Sequence, residues 1–283
     1  MTSRLRVHHV SRYSYDQPVN VSFNEARLTP LATPWQTPLE SVLHIEEATW
    51  QHHYVDYWGT YVRAFEARRP HSELVVDATS VVEIDATLLP EPRLATSWDE
   101  LGDGDVTDRF AEFLVQSRST EPDGQLAALA QDSAAARTPH ETALELCTRV
   151  HDAMTYLPGS TGVHTAASEA WAARSGVCQD YVHLVVGALR QVGVPARYVS
   201  GYLHPKNSEA TVGEPAVGES HAWVEWWLGE WVAHDPTNDV PVGERHVIVG
   251  RGRDYSDVPP IKGIVGGSAS ATLDVSVEVT RLA

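Results

Sequence analysis

The sequence predicts an α+β protein: an all-β sandwich first, helices in the middle, and antiparallel strands thereafter. Residues up to about Ile84 fall into short alternating segments rich in β-branched and aromatic side chains. Helical periodicity begins only after about residue 106, and period-two alternation returns beyond Ala196. The chain has 283 residues, 42 % of them hydrophobic, which is enough to bury a core in each of two domains.

The first segments, "RLRVHHVSRYSY", "SVLHIEEATWQHHYVDYWGTYVRAFEA" and "ELVVDATSVVEI", alternate and are parted by Pro- or Gly-containing turns, so a β-sandwich is expected over residues 1–90. The stretch "TLLPEPRLATSWDELGDGD" is rich in Pro, Gly and acids, and a linker is expected over 91–106. Next, "VTDRFAEFLVQS" sets Phe110, Phe113 and Leu114 at helical spacing, and "PDGQLAALAQDSAAA" is rich in alanine. "TPHETALELCTRVHDAMTY" opens on a capping signature and puts Leu144, Cys147, Val150 and Met154 on one face, so Cys147 is expected in the core. Residues 182–192 repeat apolar side chains with helical period, and Gly193 and Pro195 supply the stop. "ARYVSGYL", "SHAWVEWWL", "GEWVAHDP" and "ATLDVSVEVTRL" then alternate as strands. A second domain is expected over 107–283, its motifs gathered at about 165–240.

The formal charge is −17 and the acids are spread along the chain, which argues against nucleic acid and anionic membrane as partners. Two distant cysteines without paired Cys or Cys/His spacing give neither a disulfide framework nor structural zinc. No early segment joins a basic start to a long apolar run, and the expected compartment is cytoplasmic. The pairs His8-His9 and His52-His53 diverge on a strand, so no metal is expected there, and no cofactor is implied.

The chemistry gathers around the second cysteine. Ser175-Gly176 interrupts the chain just before the periodic run and places Cys178 in the first turn of a helix. There the unsatisfied amides and the positive helix end stabilise a thiolate and can receive an oxyanion. A small cysteine at a helix start also fits plain packing. Its company downstream changes the reading. "ESHAWVEWWLGEWVAHDPTN" reads as a hairpin turning at Leu228-Gly229-Glu230. A three-residue loop puts Trp223 opposite Asp235, with His221 one diagonal step away on the same face; a two-residue loop would separate the faces. Cys178 is then the nucleophile, His221 the general base and later acid, and Asp235 the group that orients the imidazole.

"GVCQDYVHLVVGALRQVGVPARYVSGY", "SHAWVEWW" and "WVAHDPTN" resemble the core of the transglutaminase-like superfamily. The resemblance implies a papain-like core, in which a helix carrying the cysteine packs on an antiparallel sheet. "VSRYSYDQPVNVSFNEARLTP", "VDYWGTYVRAF" and "ERHVIVGRGRDYSDVPPIKG" are similar to a bacterial branch with an N-terminal β domain, described by inference as cysteine proteases. The likeness supports the assignment of Cys178, His221 and Asp235, implies a peptide or protein substrate, and puts the region of Tyr156 at the site as a source of an oxyanion donor.

Gln179 and Asp180 follow the nucleophile directly; an acid there suits the helix dipole, and the alternative is contact with a substrate amine. Trp223, on the His221 face, is a candidate wall of the cleft. His183 is expected to pack, His234 to point to the other strand face, and Asn238 to serve the turn or add a polar contact. Arg251, Arg253, Asp254 and Tyr255 are either a solvated loop or part of a substrate groove. The expected activity is amide or peptide hydrolysis through a thioester. The alternatives are acyl transfer from glutamine to amines by the same triad, a catalytically dead binding module, and a metal enzyme drawing on the histidines.

Overall fold

The computed structural model describes residues 2–91, 96–205 and 212–283. The N-terminal part contributes strands β1 (Thr2–Val19), β2 (Ser22–Ala26), β3 (Gln36–Ile45), β4 (Trp50–Val55), β5 (Tyr61–Ala67) and β6 (His71–Asp85). Helices α1 (Trp98–Leu101), α2 (Gly104–Arg109), α3 (Gly124–Ala134) and α4 (Pro139–Ala153) follow, then β7 (Thr155–Tyr156), α5 (Ala167–Ala173), β8 (Ser175–Gly176) and α6 (Cys178–Gln191). The chain closes with β9 (Ala196–Leu203), β10 (Pro215–Val217), β11 (Glu219–Trp227), β12 (Trp231–Asp235), β13 (Val240–Pro241), β14 (His246–Gly252), β15 (Ile261–Val265) and β16 (Ala271–Arg281). No helix of the described residues is long and apolar enough to cross a membrane.

A five-stranded antiparallel sheet, in the order β10-β16-β1-β6-β3, faces a four-stranded one, in the order β15-β2-β5-β4. Tyr15, Val19, Phe65, Leu74 and Val76 are buried between them, as the alternation in the sequence requires. The C-terminal strands change the expected division of the chain: β16 pairs with β1 from Leu5 to Tyr15, and β15 pairs with β2. Segment 107–283 thus contains strands that complete the N-terminal sheets. Alternation identifies a strand but not its partner, and β16 covers one long edge of β1 that would otherwise be open for pairing with other chains.

The third sheet, β13-β12-β11-β9-β14, has helices on one face. Ala222, Val224 and Trp226 of β11 pack there against Leu184, Val185, Ala188 and Leu189 of α6 and Leu146, Cys147 and Val150 of α4. Farther along β9 and β14 the same face meets the large N-terminal sheet, Tyr202 and Val247 packing with Leu5, Val7, Val82 and Ile84, while Leu31 covers Val199, Trp223 and Ile248 on the opposite face. Two buried polar ties cross this boundary. The Tyr202 hydroxyl and His9 Nδ1 share a hydrogen bond at 3.0 Å, and His9 Nε2 meets Ser11 Oγ at 2.8 Å. The Gln36 amide donates to the carbonyls of Leu31 (2.7 Å) and Ile248 (2.8 Å) and accepts from Ile248 N–H (2.8 Å).

Three local expectations need correction. The expected linker 91–106 falls partly on residues outside those described, and its described part contains α1, started by a capping box between Ser97 and Glu100. Phe110, Phe113 and Leu114 do not lie on one helix, although Phe110 and Phe113 both pack on Trp231. The Phe110 ring turns in against Trp227 (4.6 Å) and Trp231 (5.5 Å), and α2 stops before it, leaving only a single 3₁₀ turn. On α4, Leu144 is 36 % exposed, and Ala143 and Leu146 fill the core beside Cys147. Burial pushes the Cys147 thiol well above its ordinary pKa, as befits an inert packing residue.

Replacing Gln36 with Ala leaves the N–H and C=O of Ile248 buried without this partner. The Gln36→Ala variant is expected to lose about 2 kcal/mol or more of unfolding free energy, read from urea denaturation.

Candidate active site

The first turn of α6 presents Cys178, which is half-buried and close enough to His221 to help raise the pKa of its ring. What starts this helix is the third residue of its turn. Asp180 folds back so that its Oδ2 accepts from Val177 N–H (2.8 Å) and from Thr161 Oγ1 (2.6 Å). An N-terminal carboxylate of this kind satisfies a helix donor and suits the dipole. Gly176 makes room for it, since a Cβ there would lie 2.6 Å from Asp180 Oδ2. With a relative exposure of 1 %, Asp180 is a capping residue and not a contact for a substrate amine. Burial, the largest influence on it, raises its pKa despite these hydrogen bonds.

The hairpin of β11 and β12 supplies the other two groups. Trp227 pairs with Trp231 and Val224 with His234, and Leu228 N–H donates to Glu230 C=O across a three-residue loop. This register puts His221 and Asp235 on one face. His221 Nε2 donates to Asp235 Oδ2 at 2.7 Å. Nδ1 is then the nitrogen left to meet the Cys178 sulfur.

Asp235 is fully buried and receives five hydrogen bonds. Oδ1 accepts from the backbone N–H of Thr237 (3.0 Å) and Asn238 (3.2 Å); Oδ2 accepts from His221, Asn238 Nδ2 (2.7 Å) and His246 Nε2 (3.5 Å). Because His246 Nδ1 accepts from Gly243 N–H at 3.2 Å, the proton of its neutral ring is on Nε2, aimed at Asp235. Burial is the largest influence on His246 and holds its pKa below the ordinary value, so it is a neutral donor at neutral pH.

The charges follow from the same contacts. Burial is the largest influence on Asp235 and disfavours its charge, yet the hydrogen bonds from His221, His246 and Asn238 and the charge of His221 hold its carboxyl below the usual carboxylate range. Burial likewise disfavours cationic His221. The hydrogen bonds and charges of Asp235 and Cys178 outweigh it and raise the His221 pKa to about 10.

Beside His221 lies a cavity of about 560 Å³, bordered also by Tyr156, Thr237, Asn238, Val217 and Arg245. Tyr156 is thus on the cavity wall, 41 % exposed. Asn238 does more than turn the chain, since its amide bonds Asp235 and lies 3.5 Å from His221 Nε2. Gln179 is buried in the first turn of α6 and is not among the cavity residues.

Trp223 is a different correction. It faces the His221 side as expected but is 0 % exposed, packed with Leu31, Val199 and Ile248, its ring centroid 5.3 Å from that of His246. It is the floor under the histidines and not a cleft wall. Nor do the tail residues shape the cavity: Arg251 pairs with buried Glu225 (3.0 Å), Arg253 with Asp257 (2.9 Å), and Asp254 caps a short 3₁₀ turn at Ser256. His183 is buried and accepts from Tyr255 N–H (3.2 Å), and His234 turns to Asp239 on the other strand face (3.1 Å). His246, Thr161 and Arg245 were not singled out from sequence. Their places depend on strand order and loop return, for which no local pattern exists.

A family model described as the transglutaminase-like superfamily matches residues 127–236, and one described as the bacterial transglutaminase-like N-terminal region matches residues 5–83. An uncharacterized protein of Mycobacterium leprae is 44 % identical over 281 residues, 99 % of each chain. A protein-glutamine gamma-glutamyltransferase of Pseudomonas aeruginosa is 36 % identical over 94 residues, 31 % of this chain and 14 % of its own. Among solved structures, a "putative cysteine protease" from Cytophaga hutchinsonii aligns over 100 % of this chain and 92 % of its own, with a TM-score of 0.79 at 24 % identity, a likeness of fold.

The His221 shift has a pH signature. A pKa raised from 6.5 to about 10 on folding contributes stability that is complete below pH 6.5 and is lost as pH rises through about 10. The gap in urea midpoint between wild type and His221→Gln is therefore expected to be widest near pH 6 and to close towards pH 10.

Proposed function

The chain belongs to the transglutaminase-like superfamily, and from that premise we propose that it is a thiol amide hydrolase acting on a peptide or protein through a thioester. The observation that carries this reading is the His221–Asp235 hydrogen bond beside a cavity, with Cys178 near enough that both groups favour the charged imidazole. An imidazolium next to a cysteine at a helix start is the arrangement that favours a nucleophilic thiolate.

In this mechanism the Cys178 sulfur attacks the carbonyl carbon as a thiolate, its proton residing on His221. The backbone N–H groups of Cys178 and Gln179 at the start of α6 are candidate donors to the oxyanion, with Tyr156 on the cavity wall as a candidate second donor. His221 gives its proton to the leaving amine as the C–N bond breaks. The ring is then neutral and takes a proton from water, which attacks the thioester. The C–S bond breaks, the acid leaves, and the thiolate and imidazolium are restored. Throughout, Asp235 fixes the ring through Nε2, so that Nδ1 faces the reacting atoms.

A second reading, transfer of the acyl group to a primary amine, draws support from the local likeness to the gamma-glutamyltransferase. The two share the thioester and part at the nucleophile that resolves it.

With an amide substrate found by screening, Cys178→Ala is expected to abolish turnover, and His221→Ala to lower it about 10²- to 10⁴-fold. For a hydrolase, product analysis in the presence of a primary amine shows mainly free acid; predominant amide product would establish the transferase instead. Turnover unchanged in Cys178→Ala would refute both.

A further inference from the structure

The cavity beside His221 contains a cation that the chemistry above does not use. Arg245 borders it from the loop before β14 and is held at both its backbone and its side chain. Its C=O accepts from His204 N–H at 2.9 Å, and its Nη1 donates to His204 C=O at 3.0 Å. This fixes the guanidinium while leaving further donors of its planar fork for a ligand. Among the described residues no carboxylate pairs with it. The adjacent Glu244 turns instead to Arg281, at 3.8 Å. Arg197 and Arg251, on the same sheet, by contrast both pair with Glu225.

The described residues that border the cavity include Arg245 and His221 and no acid. In a chain with a net charge of −17, Arg245 brings a positive charge to this wall that is not offset by an acid among the described lining residues. A cavity of this volume falls within the usual range for small-ligand pockets, about 300–1,000 Å³, and its walls focus the field of the charges that line it.

We propose that the substrate carries a carboxylate close to the scissile amide, and that Arg245 receives it. The substrate class is then a peptide cut next to a free carboxyl group, such as that of a C-terminal residue. Arg245 is a specificity residue in this account, which rests on the reading of Cys178 as the nucleophile. A fixed guanidinium pairs with a carboxylate through two parallel N–H···O bonds, a geometry that an amide of the same shape does not reproduce.

Two alkylating probes test this without a known substrate. N-iodoacetylglycine and N-iodoacetylglycinamide both transfer their acyl-methylene carbon to sulfur with loss of iodide, and only the first has a carboxylate one residue beyond the reacting carbon. Rates of Cys178 labelling are measured by peptide mass spectrometry for wild type, Arg245→Gln and Arg245→Lys. The acid-to-amide rate ratio is expected to fall about fivefold or more in Arg245→Gln, to be partly kept in Arg245→Lys, and to shrink with added salt in the wild type. The rate with the neutral probe corrects each variant for any change in the thiol itself, and an unchanged far-UV CD spectrum and urea midpoint show that the variants are folded. A ratio indifferent to Arg245, with Cys178 still rapidly labelled, overturns the carboxylate proposal alone. Labelling by both probes no faster than a free thiol overturns the nucleophile reading and this one with it.

Discussion

A fully buried carboxylate, Asp235, sets the terms for the rest of the sheet β13-β12-β11-β9-β14. An isolated charge there would cost several kcal/mol in lost hydration, and only close donors on every side offset that. The donors come from β11 (His221), from the turn after β12 (Thr237 and Asn238) and from β14 (His246). Strands β12 and β14 are separated in the sheet by β11 and β9, so their side chains meet only because the sheet curls. Trp223 fills the concave side of that curl. Position 201 must then be glycine, because a Cβ there would run into both the Val247 carbonyl and the Trp223 ring.

The N-terminal β domain takes part in this construction. Gln36 on β3 grips the backbone of β14 at Ile248, two residues beyond His246, and Tyr202 on β9 bonds His9 on β1 next to Gly201. The apolar layer between the sheets, with Leu5, Val82 and Ile84 on one side and Tyr202 and Val247 on the other, holds those polar ties away from water. This third sheet therefore carries the helices and the large N-terminal sheet along one face, and Leu31 covers Trp223 and Ile248 on the other. The return of β15 and β16 into the N-terminal sheets fastens the two parts again through the chain itself.

What was legible in the sequence was whatever short-range geometry decides. A glycine before a periodic run marks the helix start at Cys178, and the length of a hairpin loop decides which residues share a face, so Trp227 opposite Trp231 was enough to bring His221 to Asp235. What was not legible depends on chain return. His246 lies 11 residues beyond Asp235, yet reaches it from the opposite edge of the sheet, and Thr161 reaches Asp180 from 19 residues upstream. The face of Trp223 could be read from alternation; whether solvent or Leu31 and Ile248 would cover that face could not, because it depends on the curl. Alternation likewise marked β16 as a strand without showing that its partner would be β1.

The central claim is that Asp235 keeps His221 charged beside Cys178 at physiological pH. Its most direct measurement is the protonation of the His221 ring, followed by ¹⁵N chemical shifts from pH 5 to 10 in protein labelled at histidine. The expected result is a ring still protonated on both nitrogens at pH 8, titrating only towards about pH 10. A ring that is neutral at pH 8 and titrates near 6.5, as a solvent-exposed histidine does, would contradict the account.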